Sequence, residues 1–203
     1  MKAAIVVFPG TNCEKDTFEA CRYFGLETEY IWHNETNLKK YDFIFLPGGF
    51  SYGDYIHSGR LAKFSPVMQG IKEFICYKRG IVIGICNGFQ ILCESKILPG
   101  ALTINISNRF ICDDIPIYMG EKEITLPVAH KEGRYIFDKS TQISNLIFLK
   151  YKKNINGSML DIAGLYDRQK RVIAMMPHPE RAIFKETGSK DGCEIFNFII
   201  KEL

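Results

Sequence analysis

One stretch, residues 80–93, most restricts what this chain can fold into, because it changes from a strand pattern to a helix pattern at a single residue. Residues 81–85, IVIGI, are apolar and rich in β-branched side chains, which is typical of a strand buried on both faces of a parallel sheet. Residues 87–94 predict a helix. The sequence therefore predicts a buried parallel strand that turns sharply into a helix.

Cys86 occupies this predicted turn, with Gly84 two residues before it and Gly88 two residues after it. Small neighbours suit such a turn because the two backbones crowd there, and the Gly-x-Ser-x-Gly elbow of hydrolases has the same layout. Unpaired N–H groups at a helix start stabilise negative charge, so a thiolate at Cys86 is favoured and the N–H of Asn87 is a candidate oxyanion donor. The motif alone is equally consistent with a buried structural cysteine.

Composition limits the remaining classes of protein. A chain of 203 residues predicts one domain spanning residues 1–203, with a sizeable core. The net charge of +3 is small and dispersed, which predicts neither a nucleic-acid partner nor a membrane partner. The seven cysteines form no CxxC pair, so we expect no metal site and reduced thiols in a cytoplasmic protein.

The first residues do not have the features of a targeting segment. The apolar run from Ala3 to Phe8 is short and is stopped by Pro9-Gly10, which argues against a signal peptide. The sequence contains no apolar run close to the roughly 18 residues of a membrane span.

Order along the chain predicts the fold class. Strand patterns at 3–8, 27–32 and 43–46 are separated by tight turns and helical segments, with Thr11 or Asn12 as the expected N-cap of the first helix. This repetition predicts an α/β protein with a flavodoxin-like, open, mostly parallel sheet and helices on both faces. Short strand-like runs then follow too closely for crossover helices and predict an antiparallel or mixed extension, at 102–106, 109–112, 115–118 and 124–128.

A glycine-rich segment, Pro47 to Gly59, follows the third predicted strand. Ligands bind at the carboxyl ends of strands in open α/β sheets, and glycines let backbone N–H groups approach a ligand closely. The alternative is an ordinary long surface loop. Asp54 in this segment could orient a ligand amine, although an aspartate in a loop usually caps a turn.

His178 lies between Pro177 and Pro179, directly after an apolar strand pattern. The prolines favour an extended, rigid backbone, in which residues two apart lean to the same side, so His178 and Glu180 can act together. A base oriented by a carboxylate is what a thiol nucleophile requires. His130, with Glu132 two residues later, competes for the role of base, and the two flanking prolines favour His178.

These three stretches together resemble the class I glutamine amidotransferases. The matching motifs are GICNGFQ around Cys86, PGGFSYGD after the third strand, and HPE at 178–180. Four longer segments, FPGTNCEKD, GGFSYGDYIHSGRLAK, HKEGRY and MMPHPER, are similar to the subfamily of glutaminase subunits of the phosphoribosylformylglycinamidine synthases of purine biosynthesis. The resemblance spans residues 3 to 202.

The resemblance implies a catalytic triad of Cys86, His178 and Glu180 that hydrolyses glutamine to glutamate and ammonia through a thioester. The resemblance also implies an oxyanion hole. Its hydrogen-bond donors would be the N–H of Asn87 and an N–H from the loop containing Gly49 and Phe50.

The family pattern also implies how glutamine is held. Gln90, Asn108 and the backbone near Phe110 would bind the α-amino and α-carboxylate groups of the substrate. Asn105 is a nearby competitor of Asn108 for this role.

The chain lacks a Gly-x-x-x-x-Gly-Lys-Ser/Thr nucleotide loop, so we expect it to bind no cofactor itself. The resemblance implies two partners, a large synthetase subunit that binds ATP, magnesium and formylglycinamide ribonucleotide, and a small third subunit. Two alternatives remain open on the residues. One is a flavodoxin-like cysteine hydrolase of the peptidase or deglycase type, and the other is a non-catalytic regulatory subunit of the same fold.

Overall fold

The computed structural model describes residues 1–203, apart from the side chain of Thr187. Its strands are β1 (Lys2–Val7), β2 (Glu27–Trp32), β3 (Phe43–Leu46), β4 (Ile81–Ile85), β5 (Ala101–Thr103), β6 (Ile111–Met119), β7 (Lys122–His130), β8 (Arg134–Ile136), β9 (Ile147–Tyr151), β10 (Ile162–Asp167) and β11 (Val172–Met175). Its α-helices are α1 (Glu14–Tyr23), α2 (Val67–Cys76), α3 (Asn87–Glu94) and α4 (Gly192–Lys201).

Nine strands form one mixed sheet in the order β2-β1-β3-β4-β11-β10-β9-β6-β7. The pairings from β2 to β11 are parallel, and those from β11 to β7 are antiparallel. The crossovers through α1 and α2 run in opposite directions along the sheet, so right-handed connections place these helices on opposite faces. The predicted fold class, a largely parallel sheet with an antiparallel extension, is confirmed.

The centre of the sheet is the centre of the core. Every residue of β3, β4 and β11 is buried, as both faces of a parallel strand covered by helices require. The outer strand β2 is mostly exposed and contributes Ile31 to the core. None of the helices in the described part of the chain combines the length and apolar character needed to cross a membrane.

The predicted N-cap of the first helix is wrong. α1 begins at Glu14, and its N-cap residue, Cys13, makes no side-chain capping hydrogen bond among the described residues. The two predicted caps are used in the turn before the helix. Thr11 Oγ1 accepts a hydrogen bond from the N–H of Phe8 at 3.0 Å, and Asn12 Oδ1 accepts one from the thiol of Cys13 at 3.3 Å.

Two predicted strands, 109–112 and 115–118, are one continuous strand, β6. Asp113 and Asp114 interrupt the apolar pattern but not the pairing, because their side chains are exposed while the backbone still pairs with β7. The strand predicted at 102–106 is shorter and belongs to a separate two-stranded sheet, β5-β8.

Candidate active site

Cys86 lies on a sharp turn between β4 and α3. Its backbone has φ 50° and ψ −103°, a strained conformation for a residue with a side chain, and its N–H donates to the carbonyl of Met175 at 2.7 Å. The glycines beside it give the turn its space. A Cβ on Gly88 would lie 2.0 Å from the carbonyl oxygen of Leu46, and one on Gly84 would lie 2.6 Å from a methyl of Leu92.

His178 and Glu180 form a buried pair just beyond the end of β11. Nδ1 of His178 lies 2.6 Å from Oε1 of Glu180, and both side chains are almost fully excluded from solvent. Burial alone would lower the pKa of His178, but the Glu180 carboxylate and the neighbouring Cys86 raise it above its usual value. The ring therefore favours the imidazolium form, with Glu180 as its counter-ion.

The backbone around this pair fixes the histidine in place. The N–H of His178 donates to the carbonyl of Pro127 in β7 at 2.8 Å. Gly48, after β3, provides room for the ring, since a Cβ there would lie 2.7 Å from Cε1 of His178. The glycine-rich loop thus begins in contact with the candidate base.

A cavity of about 470 Å³ brings the predicted motifs together. Its lining residues come from the turn before α1, the glycine-rich loop, the start of α3, the segment before β6, the end of β7 with the residues after it, and the segment after β11: Asn12, Cys13, Gly49, Phe50, Asp54, Ser58, Cys86, Gln90, Phe110, Ala129, His130, Lys131, Glu132, His178 and Arg181. The thiol of Cys86 lies 3.8 Å from the carbonyl oxygen of Ala129. Nucleophile and base candidates therefore share one cavity at the carboxyl ends of the parallel strands.

A buried hydrogen-bond network connects the walls of this cavity. Asn87 accepts a bond from the N–H of Ser51 at 3.3 Å and donates one to Oε1 of Gln90 at 2.9 Å. Gln90 in turn donates to the carbonyl of Glu132 at 2.7 Å. The start of α3 is thereby connected to the glycine-rich loop on one side and to the segment after β7 on the other.

Two carboxylates, Asp54 and Glu132, line the cavity on the side of Gln90. Ser58 links them, because its hydroxyl donates to Asp54 at 2.9 Å and its N–H donates to Glu132 at 3.1 Å. Burial raises the pKa of Asp54, while the bond from Ser58 opposes that shift. Negative charge in this position suits an ammonium group of a ligand.

Only some of the predicted glutamine-binding residues line the cavity. Gln90 and Phe110 line the cavity, whereas Asn108 is exposed and is not among the lining residues. Asn105 is buried and its amide is already bonded to the carbonyls of Arg109 and His130 and to the N–H of Gly133. Asn105 therefore supports the local backbone, and the role of Asn108 stays a prediction.

Sequence reasoning missed Ser58 and Glu132 as cavity residues and considered Glu132 only as a partner for His130. The available signal was the pair of long segments GGFSYGDYIHSGRLAK and HKEGRY, each of which contains one of these residues. Neither segment reveals that the two meet, because they are 74 residues apart.

His130, the competing base, is buried at the end of β7. Burial, and then the charge of His178, lower its pKa to about 4, so its ring is neutral near neutral pH. Glu132 does not orient it, since that carboxylate bonds to the N–H of Ser58 and lies 3.6 Å from His57. The carboxylate-oriented histidine at this site is His178.

Cys13, His178 and Glu180 have ligand-type atoms within 4.8 Å of one another, a spacing that could hold a metal ion. A guanidinium already occupies this corner, because Nη2 of Arg181 lies 3.1 Å from the sulfur of Cys13. That fixed positive charge opposes a cation here, and Glu180 is already paired with His178. We therefore assign His178 and Glu180 to acid–base chemistry, and the expectation that the site holds no metal stays a prediction.

The fold and the site together define a class of protein. The family profile of the CobB/CobQ-like glutamine amidotransferase domain matches residues 1–191. The chain belongs to this family of glutamine amidotransferases, as the sequence predicts.

Among curated relatives, phosphoribosylformylglycinamidine synthase subunit PurQ of Prochlorococcus marinus is 45% identical, covering 98% of this chain and 99% of that protein. The PurQ subunit of Trichormus variabilis is 42% identical, covering 100% of this chain and 98% of that protein. The predicted similarity to these subunits is confirmed.

Comparison with solved structures gives the same family. A chain of PurLQS from Thermotoga maritima superposes with a TM-score of 0.91 at 35% identity, covering 98% of this chain and 97% of that one. A second glutamine amidotransferase from Thermotoga maritima has a TM-score of 0.60 at 15% identity, covering 100% of this chain and 84% of that one, and shares the fold.

Proposed function

We propose that this chain is the glutaminase subunit of a cytoplasmic phosphoribosylformylglycinamidine synthase, which hydrolyses glutamine and passes ammonia to a synthetase subunit. One observation carries the proposal. Cys86, on its strained turn, and His178 line the same cavity, and the buried carboxylate of Glu180 is paired with the His178 ring. A thiol and a histidine in one cavity, with a carboxylate bonded to the histidine, are the components of a cysteine nucleophile with its base.

The first step is attack on the glutamine side chain. The start of α3 and the nearby His178 imidazolium stabilise the Cys86 thiolate, which adds to the carboxamide carbon. Negative charge develops on the carboxamide oxygen, where the N–H of Asn87 and an N–H of the loop at Gly49 and Phe50 are the proposed donors.

Collapse of this intermediate releases ammonia. The C–N bond breaks as His178 gives its proton to the leaving nitrogen, and a γ-glutamyl thioester remains on Cys86. Water then attacks the thioester with His178 as general base, which frees glutamate and restores the thiolate. Glu180 holds the ring orientation through both steps and stabilises the imidazolium.

The remaining groups of glutamine fit the polar side of the cavity. Asp54 and Glu132 offer carboxylates for the α-ammonium group, and Gln90 is held between them and the elbow by its own hydrogen bonds. Phe110 closes one wall, and Asn108 on the same loop is proposed to bind the α-carboxylate.

Ammonia released here must be used on another chain, because this one contains no nucleotide-binding loop of the Gly-x-x-x-x-Gly-Lys-Ser/Thr type. We propose a complex with a large synthetase subunit and a small third subunit, as in PurLQS. ATP, magnesium and formylglycinamide ribonucleotide would bind to the synthetase, and this chain would carry no cofactor.

Replacing the nucleophile tests this function. The subunit is reconstituted with its synthetase partner, and amide formation is measured with glutamine or with ammonium as the nitrogen source. Cys86→Ala should abolish the glutamine-dependent reaction and leave the ammonia-dependent reaction intact. Cys76→Ala, at an exposed cysteine in α2, is the matched control and should change neither. Glutamine-dependent turnover that survives in Cys86→Ala would refute the assignment.

A further inference from the structure

The turn after β7, residues 130–133, forms part of the cavity wall. His130 ends β7, and Lys131 and Glu132 line the cavity directly after it. Glu132 offers one of the two carboxylates proposed for the α-ammonium group of glutamine. The contacts that hold this turn in place therefore affect how the substrate binds.

Asn105 makes several of the hydrogen bonds that hold the turn. Its side-chain amide donates to the carbonyl of His130 at 2.9 Å and accepts from the N–H of Gly133 at 3.1 Å. Its backbone N–H donates to the carbonyl of Lys131 at 2.8 Å. Asn105 is therefore bonded to the backbone on both sides of Glu132.

The same amide also fixes the other loop at this end of the cavity, residues 105–110. Its Nδ2 donates a second bond, to the carbonyl of Arg109 at 2.9 Å, and the N–H of Asn108 donates to the carbonyl of Asn105 at 2.8 Å. This loop carries Asn108, proposed for the α-carboxylate, and Phe110, which lines the cavity. One side chain is thus bonded to both segments that the proposed function places around the α-carbon of glutamine.

The hydrogen bonds of Asn105 fix the distance between these two segments. Asn105 is 2% exposed, and its three side-chain bonds all go to main-chain groups. Breaking them would leave buried polar groups without partners, which is costly. The amide uses both of its N–H donors and its oxygen, a combination that neither aspartate nor leucine, which are similar in size, supplies.

The position of the Glu132 carboxylate depends on the turn that carries it. Oε2 of Glu132 accepts a bond from the N–H of Ser58 at 3.1 Å, and the hydroxyl of Ser58 donates to Asp54 at 2.9 Å. The two carboxylates therefore face one another across the glycine-rich loop. A shift of the 130–133 backbone would carry Glu132 away from Asp54 and from a ligand bound between them.

We propose that Asn105 is a positioning residue that sets the affinity for glutamine by fixing Glu132 relative to the loop that carries Asn108. This inference rests on the proposed function of the same cavity. Asn105 itself is not among the residues that line the cavity, so it acts through the two segments to which it is bonded. Its contacts do not include Cys86 or the His178–Glu180 pair, so its loss should weaken substrate binding more than the chemical steps.

Asn105→Ser tests the proposal in the reconstituted complex, because a hydroxyl is too short to replace all three bonds and leaves only a small void. We expect KM for glutamine, measured by glutamate formation, to rise about tenfold or more with kcat little changed. This is the effect of losing one charge-assisted hydrogen bond to the substrate.

Asn154→Ser is the matched control, since it makes the same exchange at an asparagine that also has three amide bonds. These bonds go to Ser158, Asp161 and Gly157, none of which lines the cavity. KM and kcat should both stay at the wild-type values in this variant.

A double-mutant cycle shows whether the effect passes through Glu132. Glu132→Gln alone should raise KM, and adding Asn105→Ser should raise it little further, because a misplaced carboxylate and an absent one lose the same contact. Increases in KM that multiply would place the action of Asn105 elsewhere and overturn the proposal. An unchanged KM in Asn105→Ser, a loss confined to kcat, or an equal rise in Asn154→Ser would overturn it as well.

A measurement that leaves Asn105 unchanged decides the matter even if Asn105→Ser does not fold. Coupling between two events is reciprocal, so contacts that favour glutamine binding must themselves be stabilised by bound glutamine. In the complex of the Cys86→Ala subunit, which should bind glutamine without hydrolysing it, hydrogen exchange at the backbone amides of Asn105 and Gly133 should slow when glutamine is added. Unchanged exchange at both amides would overturn the proposal.

The controls separate this proposal from the function on which it rests. Ammonia-dependent amidation and thermal unfolding of each variant report whether the fold and the complex are intact. If the wild-type complex produces no glutamate from glutamine, or if Cys86→Ala leaves that reaction intact, the proposed function fails. If both behave as proposed, the KM values and the exchange rates decide the role of Asn105 alone.

Discussion

Gly88 offers the sharpest quantitative test of the site, because its lack of a side chain sets the distance between α3 and β3. In Gly88→Ala the new Cβ would lie 2.0 Å from the carbonyl oxygen of Leu46. An ordinary close C···O contact is about 3.3 Å, so the start of α3 must retreat by about 1.3 Å. Asn87, whose N–H is the proposed oxyanion donor, would move with it.

Two separate losses follow from this displacement. Misplacing a catalytic group by about 1 Å can slow a reaction about 100-fold, so we expect a loss of that size in glutamine-dependent turnover. Overpacking of a close contact destabilises a fold by about 1–3 kcal/mol. Ammonia-dependent turnover should persist at a temperature where the variant is folded, because the synthetase does not use the elbow.

Gly120→Ala is the matched control for Gly88→Ala. Gly120, in the turn between β6 and β7, has φ 62°, and no atom in the described part of the chain lies within 4 Å of an added Cβ. The left-handed conformation costs a residue with a side chain about 1–2 kcal/mol, comparable with the loss expected at Gly88. Thermal unfolding and both turnover assays should therefore show a less stable but fully active subunit. If Gly88→Ala retains wild-type glutamine-dependent turnover, the assignment of the elbow is refuted.

Three further predictions concern titratable groups of the site. Glu180→Gln removes the carboxylate that holds the pKa of His178 above its usual value, so glutamine-dependent kcat should fall about 100-fold or more and the alkaline limb of its pH profile should move to lower pH. Asp54→Asn removes a proposed partner of the α-ammonium group, and KM for glutamine should rise about tenfold or more with a smaller change in kcat. The pKa of His130 is lowered from 6.5 to about 4, so the folded state binds its proton less readily than the unfolded chain. The free energy of unfolding should decrease by up to about 3 kcal/mol as the pH falls from 6.5 to about 4, and His130→Leu should abolish that part of the decrease.

Each of these three has an outcome that contradicts it. An unshifted pH profile in Glu180→Gln would separate Glu180 from the ionisation of His178. A loss confined to kcat in Asp54→Asn would argue against contact with the α-ammonium group. Identical acid destabilisation of the wild type and of His130→Leu, measured by denaturant unfolding at a series of pH values, would assign the acid sensitivity to other groups.

Local sequence determined the central strands, the elbow and the helix that follows it. The run of β-branched residues, the change of pattern at Cys86 and the flanking Gly84 and Gly88 are all readable within fourteen residues. The family could be predicted because three short motifs, GICNGFQ, PGGFSYGD and HPE, occur in this order. Each motif contains a reactive side chain or residues that favour an unusual backbone conformation. Such features are determined by residues that are close together in the chain, so they can be predicted from the sequence alone.

Only the tertiary structure decided which polar groups meet. Ser58 and Glu132 are 74 residues apart, and Cys86 lies 43 residues from the carbonyl that it faces. The prolines beside His178 already favoured it over His130 as base, although each histidine has a glutamate two residues later, and the structure adds that only Glu180 contacts its histidine. The pairing of His178 with Glu180 is local, whereas long-range packing buries His130 and keeps its ring neutral. Those contacts depend on how distant strands are ordered in the sheet, which local patterns do not encode.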